Sequence, residues 1–577
     1  MAFIQFRVSR GKKYWSIVES RRINGKPRAV ILEYLGTAKT LFQRLQGKKD
    51  FAVRSYSHGD TAALIETARE LDVVGIINKH VPVGENGKKP MRDNLTVGAS
   101  LLLAAVGRAC HPTSKLSWYQ WCKQTSLEYC LRTSFRGLDS QHFWDQMDAL
   151  PVDKIPLIEK ELVRNIVRLY EIKPDCLFFD TTNFFTFIDS TNERCTIAQR
   201  GKNKQKRNDL RQFGVALLVT RKDQFPVFHR TYQGNSNDIT VFSENYSSLT
   251  QRLRDVFKQI SDVTIVFDKG NNSRKNFAMI DGTPDMHYVA GLVPSYFTDL
   301  IEEANQHFQT IKVNGADVTV YRVKKQIWDA DRTCVVSISL QLKEGQLQGI
   351  AQHLKKKYKL LDEFKAQLES PKRRKTFSKE AITERLANII SGQFIDRILK
   401  YNFIELKDGN FSFTYGIDES AFEKLKNEVL GRKILATNRH EWTDEDIILA
   451  YRGQTKVEYA FRNWKNPFHC ATRPQYHWTD QKIQVHVLTC SIGYLLAVAA
   501  YAKAKKAAYK RNLDNFLDDL RTIRLSSSVE KQREGQKSKL KVTYALEEID
   551  APLSTVAAAV GISDENLRQN LPISVYT

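Results

Sequence analysis

Between residues 174 and 295 the hydrophobic period of the chain changes, and that change constrains its fold more than any other feature. From about residue 58 to 170, apolar side chains recur at helical spacing, as in Ala62, Leu64, Ile65, Ala68 and Leu71, and again in Leu95, Val97, Leu101, Leu102 and Val106. Beyond 174 the apolar runs become short and are separated by turn residues: 176–180, 213–219, 226–230, 263–268 and 286–292. These read as five strands. A helix over 241–260 fits between the third and fourth, because Leu249, Leu253, Val256, Phe257 and Ile260 follow a turn at 234–238. Three strands, a helix, a strand, a crossover and a strand make a mixed α/β sheet.

The flanking segments differ in kind. Residues 1 to about 50 alternate apolar and polar positions around an Asn24-Gly25 turn, predicting a small basic β-meander with its cations on one side. That surface can contact DNA or simply be solvated. Residues 296–430 mix strands with long charged helices and read as an insertion into the sheet. Helical periodicity returns at 443–520, residues 526–542 read as a linker, and a small helical tail follows. A chain of 577 residues accommodates about four domains. The boundaries expected are 1–52 (meander), 53–172 (helical, DNA-binding), 173–295 (first part of a catalytic core), 296–435 (insertion), 436–524 (second part of the core) and 525–577 (tail).

Charge narrows the partners. Lys and Arg number 88 against 65 Asp and Glu, a formal +23, which favours a polyanion. The N-terminus has no run resembling a signal peptide, so a cytoplasmic, nucleoid-associated protein with no membrane association is expected. Residues 485–502 are nearly all apolar but contain His486, Thr489 and Ser491, and they read as a buried core helix. Eight cysteines without any Cys-x-x-Cys pair predict reduced, mostly buried thiols, and no closed four-ligand zinc spacing appears around His469, Cys470, His477 and His486.

Asp180 and Asp268 each end a predicted strand, where α/β sheets present ligands. A strand-terminal Asp is equally at home as a turn or cap residue. The segment 451–465 is more informative. At about 100° per residue, Tyr451, Gln454, Glu458, Arg462 and Lys465 fall within about 80° of one another on a helix. Val457, Ala460, Phe461 and Trp464 form the adjoining apolar stripe. Glu458 is then flanked by cations and a phenol, a pattern that ordinary i, i+4 pairing on a surface helix can also produce.

Tyr451, Glu458 and Lys465 resemble, in type and spacing, the Tyr-x2-Arg-x3-Glu-x6-Lys signature of DDE transposases of bacterial insertion sequences, the insertion-sequence-four-like group. Gln454 stands where that signature has Arg, and Arg462 is a candidate substitute. The resemblance extends to 234–238, 268–272, 473–477 and the N-terminal meander. It implies a ribonuclease-H-like mixed-sheet core interrupted by a β-rich insertion. Asp180 would lie on strand one, Asp268 would follow strand four, and Glu458 would lie on a helix beyond the insertion. The three carboxylates would hold two Mg²⁺ or Mn²⁺ ions and perform in-line phosphoryl transfer. The implied activity is metal-dependent DNA nicking at element ends, then transfer of the 3′-hydroxyl into target DNA. The implied partners are double-stranded DNA with terminal inverted repeats, target DNA and a second protomer when DNA is bound.

Tyr451, Gln454, Arg462 and Lys465, with Lys202, Lys204, Arg207 and Arg211 of the basic loop between the first two strands, are the expected DNA contacts. Trp328, Trp442 and Trp478 can stack on a base or pack in the protein. A catalytically silent DNA-binding protein or repressor, and a nuclease that cuts without joining, remain alternatives.

Overall fold

A computed structural model of the chain describes residues 2–9, 12–23, 26–45, 51–135, 137–203, 205–257, 262–370, 377–405, 411–530 and 542–563. The chain divides into two compact units, Met1–Ile260 with Thr455–Thr577, and Ser261–Gln454.

In the first unit, Ala2–Ser9, Lys12–Ile23 and Lys26–Thr37 form an antiparallel sheet in chain order. Its register places Lys13 on one face and Arg7 and Lys12 on the other, so the cations are not gathered on one side. The alternation that sets the faces is apolar on both, which leaves basic residues to be distributed wherever the strand edges and ends allow. Phe51–Ser57 pairs with Arg524–Glu530, which pairs with Val542–Leu546. The segment expected as a linker therefore contains a strand. Its apolar alternation is diluted by three serines, and pairing with a distant strand supplies the backbone hydrogen bonds that composition did not advertise.

The helical part of this unit is organised around Asp480–Lys506. Its most apolar window is 94% buried, making it a core helix by environment although it is long and apolar enough to cross a membrane. It crosses Val97–Cys110 at Gly493, where a Cβ would stand only 2.6 Å from the Ala105 carbonyl oxygen. Close backbone approach is the reason for glycine there. All eight cysteines are buried, free thiols.

Three strands, Cys176–Thr186, Arg211–Thr220 and Pro226–Gln233, then form an antiparallel meander. Leu177, Phe178 and Phe179 are fully buried, so both faces of the first strand are covered at that end. The helix that follows is Asp238–Val256, starting where the Asn237 side chain accepts from the Thr240 amide. It begins three residues earlier than the apolar spacing indicated. Thr455–Lys465 lays Val457, Ala460, Phe461 and Trp464 against the first two strands.

The second unit contains a six-stranded sheet in the order Gln309–Val313, Ala316–Ile327, Ala330–Ile338, Arg432–Thr437, Met286–Leu292 and Val263–Phe267. Only the last pair is parallel. The expected insertion is thus not simply β-rich. Its first strands extend the sheet, and the 30-residue helix Leu340–Glu369 leads into a separate core. Leu361, Phe364, Ile382, Leu386, Ile395, Ile398 and Phe413 fill that core. The strand Arg432–Thr437, which the expected boundary after residue 435 would divide, joins these strands to Met286–Leu292.

Candidate functional site

Asp268 is the first residue beyond the strand Val263–Phe267, and its carbonyl accepts from the Asn271 amide in the turn Lys269–Asn271. The strand is buried along its whole length, which fixes the position from which the half-buried carboxylate projects. Tyr451 Oη donates to Asp268 Oδ1 at 3.0 Å. Tyr451 lies on Asp444–Arg452, a helix started by a reciprocal Thr443–Asp446 capping box. Gly291 makes the approach possible, since a side chain there would run into the Tyr451 hydroxyl. Asn272 Nδ2 donates to the Gly291 carbonyl at 2.6 Å, tying the turn after Asp268 to the same strand. Gly291 and Asn272 were missed as site residues, although an isolated glycine within a strand signals close approach. A cavity of about 960 Å³ opens beside them, lined by Asp268, Lys269 and Tyr451 and also by Arg397, Lys424 and Lys433.

Asp180 belongs to the first unit and is not at a strand end. It is the fifth residue of the eleven-residue strand Cys176–Thr186, opposite Leu217. The strand does not stop at Asp180: Thr181, Thr182 and Asn183 continue the ladder because the partner strand supplies a full register. Asp180 and Thr182 share a face. Lys465 donates to Thr182 Oγ1, and its ammonium stands 5.3 Å from the Phe184 ring centre, two residues further along that face. Thr181 Oγ1 donates to Asp238 Oδ1 at 2.7 Å. Burial, then the nearby Asp238 and Asp180 charges, push the Tyr232 phenol upward. Asp238, at the start of its helix, is thus held by the residue that follows Asp180 in the strand.

Glu458 is exposed in the first turn of Thr455–Lys465, where the helix dipole favours a carboxylate. Arg462, also exposed, lies over the Tyr459 ring at 4.7 Å and forms no ion pair with Glu458. Tyr451 and Gln454 do not share this helix. The preceding helix ends at Arg452, Gly453 caps it, and residues 453–454 form a turn. Gln454 is only 7% exposed. The single wheel drawn through 451–465 is therefore broken at its glycine, whose helix propensity is poor.

The basic loop meets the meander at the Thr186–Arg211 pair, six residues along the strand from Asp180, or about 20 Å. Lys202 is exposed, and Lys204 lies outside the described residues. Arg207 makes a two-pronged pair with Asp209 at 2.8 and 2.7 Å, which holds that carboxyl at about 2. Arg211 spends its guanidinium on the carbonyls of Ala198, Asn192 and Cys195, bracing the loop from within. Trp328 packs on Phe277, and Trp442 lies under the Arg439 guanidinium. Trp478 is 39% exposed beneath Arg194.

Asp180 and Glu458 thus stand in one unit and Asp268 in the other. Among the described residues, no three His, Cys, Asp or Glu side chains are grouped closely enough to hold a metal ion. The donor chemistry nevertheless suits a hard divalent cation, because all three candidates are carboxylates.

No protein-family model matches the chain, and no curated protein matches it. Among solved structures, one similar chain is the piggyBac transposase in a synaptic complex with hairpin DNA. It is 8% identical, with a TM-score of 0.34, and the match covers 80% of this chain and 78% of that one.

Proposed function

We propose that the chain is a DNA transposase of the DDE type, cleaving DNA at the ends of a bacterial insertion sequence and joining the 3′-hydroxyls to target DNA. The observation that carries this reading is the Tyr451–Asp268 hydrogen bond. Sequence resemblance assigned these two residues, 183 positions apart, separately to one catalytic site, Asp268 as a metal ligand and Tyr451 as a DNA contact, and they touch. The Lys465–Thr182 contact supports it from the other unit, since it brings the last residue of the signature onto the strand face of Asp180. The antiparallel meander with its following helix, and the parallel strand pair, are the kinds of pieces from which a ribonuclease-H-like core is built.

In this reading Asp180, Asp268 and Glu458 would be the residues to hold two Mg²⁺ or Mn²⁺ ions. The chemistry such ions supply is polarisation of the scissile phosphate and charge stabilisation at its entering and leaving oxygens. The protein's own groups prepare the site. Tyr451 fixes the orientation of the Asp268 carboxylate, and the absent side chain at Gly291 leaves room for the phenol. Lys465 adds positive charge along the Asp180 strand, where a phosphate backbone would be drawn. Lys202 and Arg462 are exposed cations available to the same DNA. Terminal inverted repeats, target DNA and a second protomer complete the proposed assembly.

The test uses the full chain, Mg²⁺, and a plasmid carrying the inverted repeats that flank its coding region. The parent should nick those ends and yield joined products. Asp180→Asn, Asp268→Asn and Glu458→Gln should each reduce cleavage to background while duplex binding in EDTA persists. Tyr451→Phe should slow cleavage about ten-fold, the equivalent of losing about 1.4 kcal/mol of alignment. Cleavage by all three acid variants at the parent rate refutes the assignment. Binding without cleavage by the parent points to the silent repressor, and cleavage without joined products to a nuclease.

A further inference from the structure

The first unit contains a group of basic side chains that the proposed chemistry does not use. Arg108 comes from the helix Val97–Cys110, Lys115 begins Lys115–Cys122, and His477 precedes the helix Asp480–Lys506, which supplies Lys482 and His486. Arg108, His477, Lys482 and His486 are all more than nine-tenths buried.

Their hydrogen bonds determine most of the protonation pattern. Lys115 Nζ lies 2.6 Å from His477 Nε2, and a protonated lysine can only donate, so that nitrogen accepts while Lys115 is charged. The other ring nitrogen, 3.2 Å from Gln475 Oε1, then carries the proton, and His477 is neutral. His486 Nε2 stands 2.7 Å from the Thr472 carbonyl oxygen and donates to it. The two imidazoles stack with centroids 4.1 Å apart. Lys115 also sits 4.2 Å from the Trp144 ring centre.

Counter-charge is scarce. Lys482 is paired with Asp148. Arg108 donates Nη1 to the Arg473 carbonyl at 2.9 Å, a neutral acceptor. Among the described residues, the strongest electrostatic influences on Arg108, Lys115, His477 and His486 come from one another, Lys482 and Cys490, with no carboxylate among them. Burial first, and then these like charges, lower the proton affinity of Lys115 and both histidines. A guanidinium cannot escape by deprotonation, so Arg108 remains a buried cation facing a neutral oxygen.

Arg108, Lys115 and His486 line one cavity of about 30 Å³, together with Thr113, Ser114 and Thr489. About 10–15 Å³ of such space admits one water, so the cavity holds a small ion or about two waters and excludes a phosphodiester. None of its lining residues is acidic.

We propose that this cavity binds a single chloride-sized monovalent anion, held by Arg108 and Lys115, which neutralises the basic cluster and locks the helical core. Such an anion supplies the missing counter-charge to Arg108 and favours the protonated form of Lys115. It binds the folded protein only, because the four contributing segments converge only there.

The test is thermal unfolding of the full chain at constant ionic strength, replacing sodium gluconate by sodium chloride or bromide. The unfolding temperature should rise saturably by about 2–4 °C in chloride, with bromide equivalent. Arg108→Met and Lys115→Met should each abolish the chloride dependence. Arg108→Met should also equal or exceed the parent in gluconate, where the parent has an unneutralised cation. Equal unfolding temperatures of the parent in chloride and gluconate overturn the proposal, as does chloride dependence that survives both substitutions. Should either variant fail to fold, anomalous scattering from bromide-soaked parent crystals decides: a peak within reach of Arg108 and Lys115 supports the site, and its absence there refutes it. DNA cleavage enters none of these readouts.

Discussion

Replacing Gly291 by alanine probes the contact on which the functional reading rests. The added methyl group would collide with the Tyr451 hydroxyl, whose oxygen is the nearest atom, while the ring carbon that bears it stands 3.0 Å away. Overpacking of this kind costs about 1–3 kcal/mol, and relief requires the phenol to withdraw from Asp268. Tyr451→Phe alone removes one hydrogen bond to an ionised acceptor, worth about 1.5–3 kcal/mol. In the double variant the colliding oxygen is gone and only the tight ring contact remains. Gly291→Ala should therefore be partly rescued by Tyr451→Phe, with a coupling energy of at least about 1 kcal/mol. Hydrogen exchange of the Met286–Leu292 amides in the full chain, as a function of urea, measures each corner of the cycle. Cleavage by Gly291→Ala should fall at least as far as cleavage by Tyr451→Phe, because both lose the same orientation of Asp268. Additivity of the two substitutions within about 0.5 kcal/mol would refute the reasoning, since it means that Tyr451 and Gly291 do not compete for space.

Acid should destabilise the first unit through His58. Burial holds His58 at about 4, and its Nδ1 lies 2.7 Å from Ser126 Oγ. Between pH 6.5 and 4 the unfolded chain therefore binds a proton that the folded chain does not, and stability falls as pH falls, by about 3 kcal/mol from this residue at about 1.4 kcal/mol per pH unit. The unfolding temperature of His58→Gln should decline less steeply over that window, and parallel slopes for variant and parent would contradict this. Arg211→Ala should loosen residues 189–198, because a half-buried fork of charged hydrogen bonds is lost; exchange there should accelerate more than ten-fold at about 1.5 kcal/mol or more. Unchanged exchange with a uniform loss of duplex affinity would instead make Arg211 a phosphate contact.

What could be read along the chain was whatever repeats locally. The change from helical to strand period located the meander strands and the helix that follows them, and the apolar stripe of Val457, Ala460, Phe461 and Trp464 marked the face of Thr455–Lys465 that packs on them. The buried thiols and the core helix Asp480–Lys506 were legible for the same reason, because side-chain polarity and run length are local properties. Other features existed only after folding. The break at residues 453–454 separated Tyr451 and Gln454 from Glu458, although a uniform wheel joined them. Asp180 moved to mid-strand because Arg211–Thr220 offered its ladder a longer partner. Arg211 turned inward to carbonyls that carry no side-chain signal. Gly291 acquired its meaning from a phenol 160 positions away, and Arg108 from a cavity whose described lining carries no acid. Hydrophobic period is imposed by the geometry of one element, whereas hydrogen bonds, close approaches and counter-charges are settled between elements, at separations for which a sequence has no spacing rule.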